Sequence, residues 1–410
     1  MYDVIIIGGG AAGLFLAANL PGKHVLLLEG SPQVGKKILI TGGGMCNLTN
    51  NKKTDSFLTH FGSPVQGNFL KPSLLNFNTD DSRHWFEDAG LPLVEREDGK
   101  VFPSCMRAGA VVDLLVAIAK KNGVRIQPSA KVRAVEKLGE LYSVSTDTEQ
   151  FQTTAVVLTT GGMSYPTTGS DGSGYLLAKS LGHLIVSPTP ALVAVSVLDY
   201  PFTPLAGNAI RDASVECFHA GEGKRYHLAQ GDMLFTHDGL SGPVILHSSR
   251  QIRKGDLLKA SLLPSSNKEE LRKRLGTLFS ENPKKQLYTI LKAEGLTAHL
   301  AEQLLTLASL TVQSTSANLT KNQMQKLIDL LVAFPFTVSG KKGFNAAMVT
   351  SGGVDLSEVD RKTMESKRNS NLYLCGEILD IDGDSGGYNL QAAFSTAKLA
   401  SVAIMAEKKE

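Results

Sequence analysis

The sequence has few of the residues from which redox dithiols, disulfide frameworks and metal centres are built. Its 4 cysteines, Cys46, Cys105, Cys217 and Cys375, stand far apart and form no CxxC or CxxxxC pair, so neither a disulfide scaffold nor a paired-thiol electron relay is expected. The 9 histidines are dispersed without metal-ligand spacing, and no metal is expected. An excess of one charge is missing too. With 42 Lys and Arg against 39 Asp and Glu, the net charge of +3 gives the chain as a whole no field for nucleic acid or an anionic membrane. No apolar run approaches the roughly 18 residues of a membrane span. Tyr2 already opens the first strand, without a basic leader or a cleavage site. Internal repeats and low-complexity tracts are absent. These absences leave a cytoplasmic enzyme acting on a small molecule, with no nucleic-acid or membrane partner. Nothing in the sequence fixes an oligomeric state.

What is present begins at the N-terminus. An apolar strand, Val4 to Ile7, runs into Gly8-Gly9-Gly10-Ala11-Ala12-Gly13, an apolar helical stretch follows from Leu14 to Leu20, and a second apolar strand, Val25 to Leu28, ends at Glu29. This is the pattern of a dinucleotide-binding βαβ unit. Gly8 permits the tight turn, Gly10 lets the backbone approach a pyrophosphate, and Gly13 lets helix and strand pack closely. The helix N-terminus supplies amide hydrogens and a positive dipole end, and Glu29 is placed to meet a ribose. Glycines at this spacing also occur in ordinary turns. Here both strands, the helix and the terminal acid agree on a cofactor.

The polar, glycine-rich stretch from Lys36 to Asn50 is too glycine-rich for a helix and reads as a ligand-wrapping loop. Residues 80 to 90 and 109 to 122 show helical periodicity, and Val124 to Gln127 reads as a third parallel strand. Segments around Val132 to Val135, Leu141 to Ser145 and Thr153 to Val157 suggest a β-meander laid on the crossover, after which Ala155 to Thr159 closes into Thr160-Gly161-Gly162. From about residue 191 the chain becomes β-rich, with a hairpin turn at Ala220 to Gly223. Residues 267 to 333 are helical and carry two capping-box patterns, Ser266-x-x-Glu269 and Thr320-x-x-Gln323. The basic residues gathered there, Lys268, Arg272, Lys273, Arg274, Lys284 and Lys285, lack aromatic interleaving and read as a solvated helix face. The chain returns through the strand Leu372 to Cys375, breaks at Gly376, and ends in an apolar helix after Gly386-Gly387-Tyr388-Asn389. The division this predicts is a nucleotide domain of residues 1–190 and 344–410, a β-rich insert of 191–266 and 334–343, and a helical subdomain of 267–333. Asp380-x-Asp382-x-Asp384 looks like a calcium loop but has Ser385 and Gln391 where an EF-hand requires Gly and Glu.

Four blocks carry a resemblance to a known family. They are Asp3 to Gly13; Thr41-Gly42-Gly43-Gly44-Met45-Cys46-Asn47-Leu48-Thr49-Asn50; Tyr165-Pro166-Thr167-Thr168-Gly169-Ser170-Asp171-Gly172-Ser173-Gly174; and Gly376 to Gly383 with Gly386-Gly387-Tyr388-Asn389-Leu390 behind it. Phe235 to Pro243 and Thr350 to Val354 match as well. Together they resemble the HI0933-like (YhiN/BaiN) flavoprotein family, a branch of the two-dinucleotide-binding-domain flavoproteins. The fold this implies is α/β: a Rossmann-like FAD-binding domain of glutathione-reductase type, interrupted by a β-rich insert domain carrying a helical subdomain.

The resemblance implies FAD in an extended pose, with the pyrophosphate over Gly8, Gly10, Ala11, Ala12 and Gly13 and the adenosine ribose at Glu29 and Gly30. Further contacts are implied from Lys37, Thr41, Gly42, Gly43, Gly44, Cys46, Asn47, Val132, Gly161 and Gly162. Gly376, Glu377, Gly386, Gly387, Tyr388, Asn389 and Leu390 fall near the ribityl chain and ring. The amides of Asn389 and Leu390, opening the last helix, suit the negative charge that reduced flavin carries near N1 and O2. Tyr388 and Tyr165 either cover the ring or are buried with satisfied hydroxyls. Two positions depart from the family: Met45 stands where Arg is usual, and Ala397 where Gly is usual.

No second GxGxxG follows a strand, so a dedicated NAD(P)H domain is not expected. Either NAD(P)H enters the substrate cleft as a transient donor, or the substrate reduces FAD and oxygen reoxidises it. The expected activity is an FAD-dependent oxidoreductase passing hydride between flavin N5 and a small organic substrate, by amine oxidation or enone-type reduction, in a cleft between nucleotide domain and insert. His237, in a polar loop of the insert, is the candidate acid/base, because imidazole is suited to proton transfer near neutral pH; a loop-ordering role is its alternative. Two other classes compete: an NAD-dependent dehydrogenase, and a flavin-binding sensor or interaction protein without catalysis.

Overall fold

An apolar run without alternation needs cover on both faces of its sheet, and β1 (Tyr2–Ile7) and β2 (Val25–Leu28) obtain it inside a parallel sheet. The computed structural model describes residues 1–264 and 267–406. The chain divides into two compact units, Met1–Ala191 with Ala347–Glu410, and Leu192–Ala346.

In the first unit β1 lies between β2, with Val4 opposite Val25, and the strand Gln150–Leu158, with Val4 opposite Ala155. Arg125–Gln127 extends the sheet beyond β2, and Leu372–Leu374 pairs in parallel with Val156 to Leu158. The meander is part of this sheet rather than a layer on the crossover. Its third strand forks: the half from Gln150 to Thr153 pairs antiparallel with Leu141–Thr146, while Ala155 to Leu158, apolar throughout, is buried beside β1. Helix α1 (Ala11–Ala18) has no polar face and is buried almost all round, against Ala108–Lys121 and the C-terminal helix Tyr388–Ala406. Its Phe15 sits among Phe77, Trp85, Phe86 and Phe394, with ring centroids 4.6 to 6.1 Å away. The stretch expected to avoid helix is partly helical. Lys36–Ile40, which contains no glycine, forms a helical turn, and the glycines act only from Gly42 and Gly43, at φ 56° and 66°. An antiparallel ribbon of Ile185–Ala191 and Val349–Val354 brings the points where the chain leaves and re-enters this unit together.

The second unit is a closed six-stranded barrel. The expected hairpin joins Ala209–Phe218 to Arg225–Phe235. Between the barrel strands Leu257–Ala260 and Phe334–Lys341 the chain forms the helices Lys268–Glu281, Leu287–Ala293, Ala298–Leu307 and Lys321–Ala333. Leu271, Leu275, Leu304 and Leu331 of these helices share one core with Phe202, Phe235 and Phe336. Thr320 and Gln323 form the expected capping box. The other one, at Ser266, lies outside the described residues, and Asn267 caps that helix by accepting from the Glu269 and Glu270 amides. No described helix is long and apolar enough to cross a membrane.

One polar cluster is buried in the first unit. His183 is 2% and Glu358 7% exposed; His183 Nδ1 lies 3.1 Å from Glu358 Oε2, and its Nε2 lies 3.0 Å from Ser366 Oγ. Glu358 also accepts from the Leu184 amide and from Arg368, through its Nε at 2.8 Å and its Nη2. The constellation has the shape of a hydrolytic triad. It does not act as one, because the Ser366 hydroxyl already accepts from the Arg368 and Asn369 amides and is buried. Burial holds the His183 imidazole below its ordinary value, against the pull of Glu358. For Glu358 burial pushes upward, and Arg368 with the Leu184 amide outweighs it, so the carboxyl is held below its usual range. Both shifts have the same sign in linkage: the unfolded chain binds more protons, and stability falls with acid. The cluster's contribution is full above the ordinary histidine value of 6.5. It declines below that as the unfolded imidazole takes up its proton, and declines further below the ordinary carboxyl value of 4.5. Glu358→Ala leaves buried His183 and the Leu184 amide without their acceptor and is expected to cost about 2 kcal/mol in denaturant unfolding. The loss should shrink as the pH is lowered from 7 to 4. A cost under about 0.5 kcal/mol, the range of an ordinary surface substitution, would remove the cluster from the account.

Candidate functional site

The β1–α1 turn is shaped by two glycines for different reasons. Gly8 has φ +107°, and a Cβ there would fall 2.6 Å from the Thr159 carbonyl oxygen; a Cβ on Gly13 would fall 1.9 Å from the Gly8 carbonyl oxygen. Backbone has taken the space where side chains would stand. At Gly10 the reverse holds: a Cβ would meet nothing within 4 Å. Gly10 lines a cavity of about 390 Å³, and no side chain caps α1 at this end. The amides and dipole of the helix are therefore turned toward open space. Glu29 braces the turn. Its Oε2 accepts from the Gly9 amide at 2.8 Å, and its Oε1 accepts from the amide and hydroxyl of Ser31, each at 2.7 Å.

Every residue lining the cavity belongs to the first unit. Of the residues expected at a cofactor, Gly8, Gly10, Ala11, Ala12, Glu29, Gly30, Lys37, Thr41, Val132, Gly161, Gly376, Glu377, Asn389 and Leu390 line it. N- and C-terminal segments meet in its wall, where Lys37 Nζ lies 2.6 Å from Glu377 Oε2 and Glu377 Oε1 accepts from the Thr350 amide at 2.8 Å. The Asn389 side chain is committed to Gly383, accepting from its amide at 2.7 Å and donating to its carbonyl at 2.9 Å. That grip holds the first turn of the C-terminal helix beside the cavity.

The remaining candidates lie outside the lining. Gly13 is buried in α1, and Gly42, Gly43, Gly44 and Asn47 belong to the loop beyond Thr41. Cys46 is fully buried, and burial pushes its thiol up to about 11, against a hydrogen bond from Thr41; it is a packed thiol. Gly162 lies against Thr350, and Gly387 against the Thr49 backbone, with Gly386 beside the Tyr388 ring. Tyr388 does not cover the cavity: its ring is buried 4.7 Å from Phe57 and stacked at 4.3 Å on His60. Tyr165, at φ 53°, precedes the Pro166–Thr168 turn and is not in the lining either. His237 stands exposed on the turn between Arg225–Phe235 and Gly239–Ser241 of the barrel unit, its carbonyl accepting from Thr203 Oγ1 at 3.0 Å. Asp380 and Asp382 take Gln66, and Asp384 takes His60 at 3.0 Å. Among the described residues no cluster of His, Cys, Asp or Glu is arranged to hold a metal.

Residue chemistry had not singled out Ala130, Lys131, Thr160 or the segment Pro166 to Asp171, all of which line the cavity. That segment is tied down at two points, Lys36 Nζ donating to the Thr167 carbonyl at 2.9 Å and Lys131 pairing with Asp171 at 2.5 Å. The available signal was its glycine-rich motif after a proline turn. Thr160 packs against the first turn of the helix Ser173–Ser180, where a Cβ on Gly174 would fall 1.8 Å from its Oγ1, and that buried hydroxyl has no hydrogen-bond partner among the described residues. An uncapped helix N-terminus and a glycine facing open space fit an extended, anionic group such as FAD.

Comparison with known proteins gives the same class. The chain matches the HI0933-like protein Rossmann domain family over residues 2–403. It is 33% identical to the ribosomal RNA dihydrouridine synthase of Haemophilus influenzae, over 98% of both chains. It is also 33% identical to the 3-dehydro-bile acid delta(4,6)-reductase of Clostridium scindens, again over 98% of both. Among solved structures, the 3-ketosteroid delta1-dehydrogenase of Sterolibacterium denitrificans shares the fold at a TM-score of 0.51 and 14% identity, over 99% of this chain and 100% of that one.

The two glycines make a paired prediction. Gly10→Val should leave the stability of the cofactor-free protein within about 0.5 kcal/mol, because its side chain enters open space. FAD retention should be largely lost, because that space is the phosphate cradle. Gly13→Val should destabilise the cofactor-free protein itself by about 3 kcal/mol, since the helix must move off the Gly8 carbonyl. Flavin content after purification and the melting temperature of the stripped proteins check both. Normal flavin content in Gly10→Val would refute the cradle.

Proposed function

The chain belongs to the HI0933-like family of FAD-dependent oxidoreductases, and from that premise we propose that it is a reductase acting on a carbon–carbon double bond conjugated with a carbonyl. The observation that carries the reading is the shared chemistry of two relatives that match the whole chain equally well, one named for dihydrouridine synthesis and one for delta(4,6)-reduction. A uracil ring and a 3-oxo steroid both present an alkene conjugated with a carbonyl, and both products gain two hydrogens across it. FAD, once bound and reduced by two electrons, would supply the hydride, and a proton would complete the addition.

The chain's own residues have separable tasks in this reading. The β1–α1 turn holds the pyrophosphate on helix amides, and Glu29 keeps that turn in place through Gly9 and Ser31. The first-turn amides at Asn389 and Leu390 oppose negative charge on the reduced ring. Lys37 and Glu377 keep the two segments of the wall in register. His237 is proposed as the proton donor to the carbon next to the carbonyl, on the strength of its exposed imidazole. The electron donor is proposed to be NADH or NADPH, entering transiently, since no second dinucleotide fingerprint follows a strand in the chain.

A second reading narrows the double bond to that of a uracil ring in RNA. It is favoured by the distribution of charge, which the near-balanced whole-chain total hides. Residues 192–346 carry 18 Lys and Arg against 13 Asp and Glu, and the rest of the chain 24 against 26. Several of these cations are committed to ion pairs, but Lys273, Lys284, Lys285, Lys321 and Lys326 are exposed. An interface with phosphate would make binding fall steeply with salt.

The test is anaerobic. FAD-loaded protein is photoreduced and mixed separately with a 3-oxo-Δ4 steroid, with unmodified ribosomal RNA transcripts, and with small amines as a control. The oxidised-flavin band should return with the steroid or with the RNA, giving a product saturated at that bond. Amines should leave oxidised protein unbleached. Bleaching by an amine, with no reoxidation by either alkene, would establish amine oxidation instead. In the productive reaction His237→Ala should slow turnover by about 10² while keeping FAD; an unchanged rate would leave His237 a loop-ordering residue.

A further inference from the structure

One cation in the first unit, Arg96, is held against an aromatic ring and forms no ion pair among the described residues. Arg96 follows the strand Leu93–Glu95 and opens the turn into Lys100–Pro103. Its guanidinium carbon stands 4.1 Å from the centroid of the Phe102 ring, and its Nη2 lies 3.4 Å from Met45 Sδ and 3.8 Å from Met106 Sδ. The turn beneath it is closed by Arg96 N donating to the Lys100 carbonyl at 2.9 Å and Gly99 N donating to the Arg96 carbonyl at 2.8 Å. Of the neighbouring acids, Glu95 pairs with Arg83 at 2.9 Å and Asp98 with Lys100 at 2.6 Å, Asp98 also feeling the Arg96 charge, while Glu97 is exposed and forms no ion pair among the described residues. Among the described residues Arg96 has no ion-pair partner, and it is exposed.

An unrestrained arginine gives up rotamer freedom when it grips a ligand. Here an aromatic face and two thioethers have already set the plane of the fork, so that loss has been met by the fold. One of those thioethers is placed by an uncommon backbone conformation, Met106 at φ 51°. The position matters as much as the restraint. Phe102 underlies both the guanidinium and Gly42, whose Cβ position is 3.3 Å from the Phe102 Cε1, and Thr41 at the head of the same turn lines the cavity. Met45, which touches Arg96, closes that turn.

We propose that Arg96 reads an anionic group on the substrate, a carboxylate or a phosphate, and so sets a preference for charged over neutral forms of the reducible compound. The planar fork matches both anions bidentately, which a lysine would not do. The inference rests on the reductase reading above for the identity of the substrate, and on the Arg96 geometry alone for the anion.

The test uses FAD-loaded wild type, Arg96→Ala and Arg96→Lys, titrated with two matched pairs while the visible flavin spectrum is followed. One pair is 3-oxochol-4-en-24-oate and its methyl ester; the other is uridine 5′-monophosphate and uridine. In the wild type the anionic member of one pair should bind about tenfold tighter than its neutral partner, the worth of one charge-assisted contact. The first pair responding would identify a carboxylate, the second a phosphate. Arg96→Ala should erase the preference with FAD content unchanged, and Arg96→Lys should restore only part of it. No preference in the wild type, or an undiminished one in Arg96→Ala, overturns the proposal. If neither pair perturbs the flavin, the substrate reading fails while the anion site is still decided, by adding inorganic phosphate and acetate and following the Arg96 Nε–Hε resonance. A saturable shift supports the site, and no shift beyond a chloride control overturns it.

Discussion

The site depends on one close approach, that of α1 to the strand before it. A hydrogen at Gly13 lets the helix sit where a Cβ would come within 1.9 Å of the Gly8 carbonyl oxygen. The helix is drawn there by its apolar surface, with Leu14, Phe15 and Leu16 all fully buried. Burial of side chains of this size is worth about 1.5–3 kcal/mol each, more than enough to hold an uncapped N-terminus in a fixed place. The cradle is therefore a by-product of core packing. The polar groups that the helix end leaves unsatisfied are the ones proposed to bind, and Gly10 keeps the space in front of them clear.

A second constraint joins the ends of the chain. Leu372–Leu374 adds to the sheet beside Val156 to Leu158, which delivers Gly376 and Glu377 to the cavity opposite Lys37. Residues 192–346 form a barrel with its own core.

How far residues reveal this differs between elements. β1, α1 and β2 are legible because a parallel βαβ unit writes its burial as unbroken apolar runs and its ligand as spaced glycines. Leu372 to Leu374 is legible for the same reason. The meander was harder: alternation in Gln150 to Thr153 and an apolar run in Ala155 to Leu158 belong to one strand that serves two partners. In the site, residues acting through backbone or aliphatic contact left the clearest marks. Tyr388 could be read either as a cover for the ring or as a buried tyrosine, and the partners that bury it, Phe57 and His60, lie more than 300 positions away in the chain. Thr160 and the Pro166 to Asp171 segment were named only as part of a turn and of a family block, because no side-chain chemistry marks residues that line a cavity by position, and Arg96 was not named because nothing local marks a restrained guanidinium from a free one.

The account turns on a dinucleotide cofactor held by the first unit. The most direct measurement is to denature the purified protein and identify and count what it releases by chromatography with absorbance detection. One FAD per chain is the expected result. Protein that releases no flavin even after reconstitution with FAD, and instead retains a nicotinamide dinucleotide in that proportion, would contradict the account.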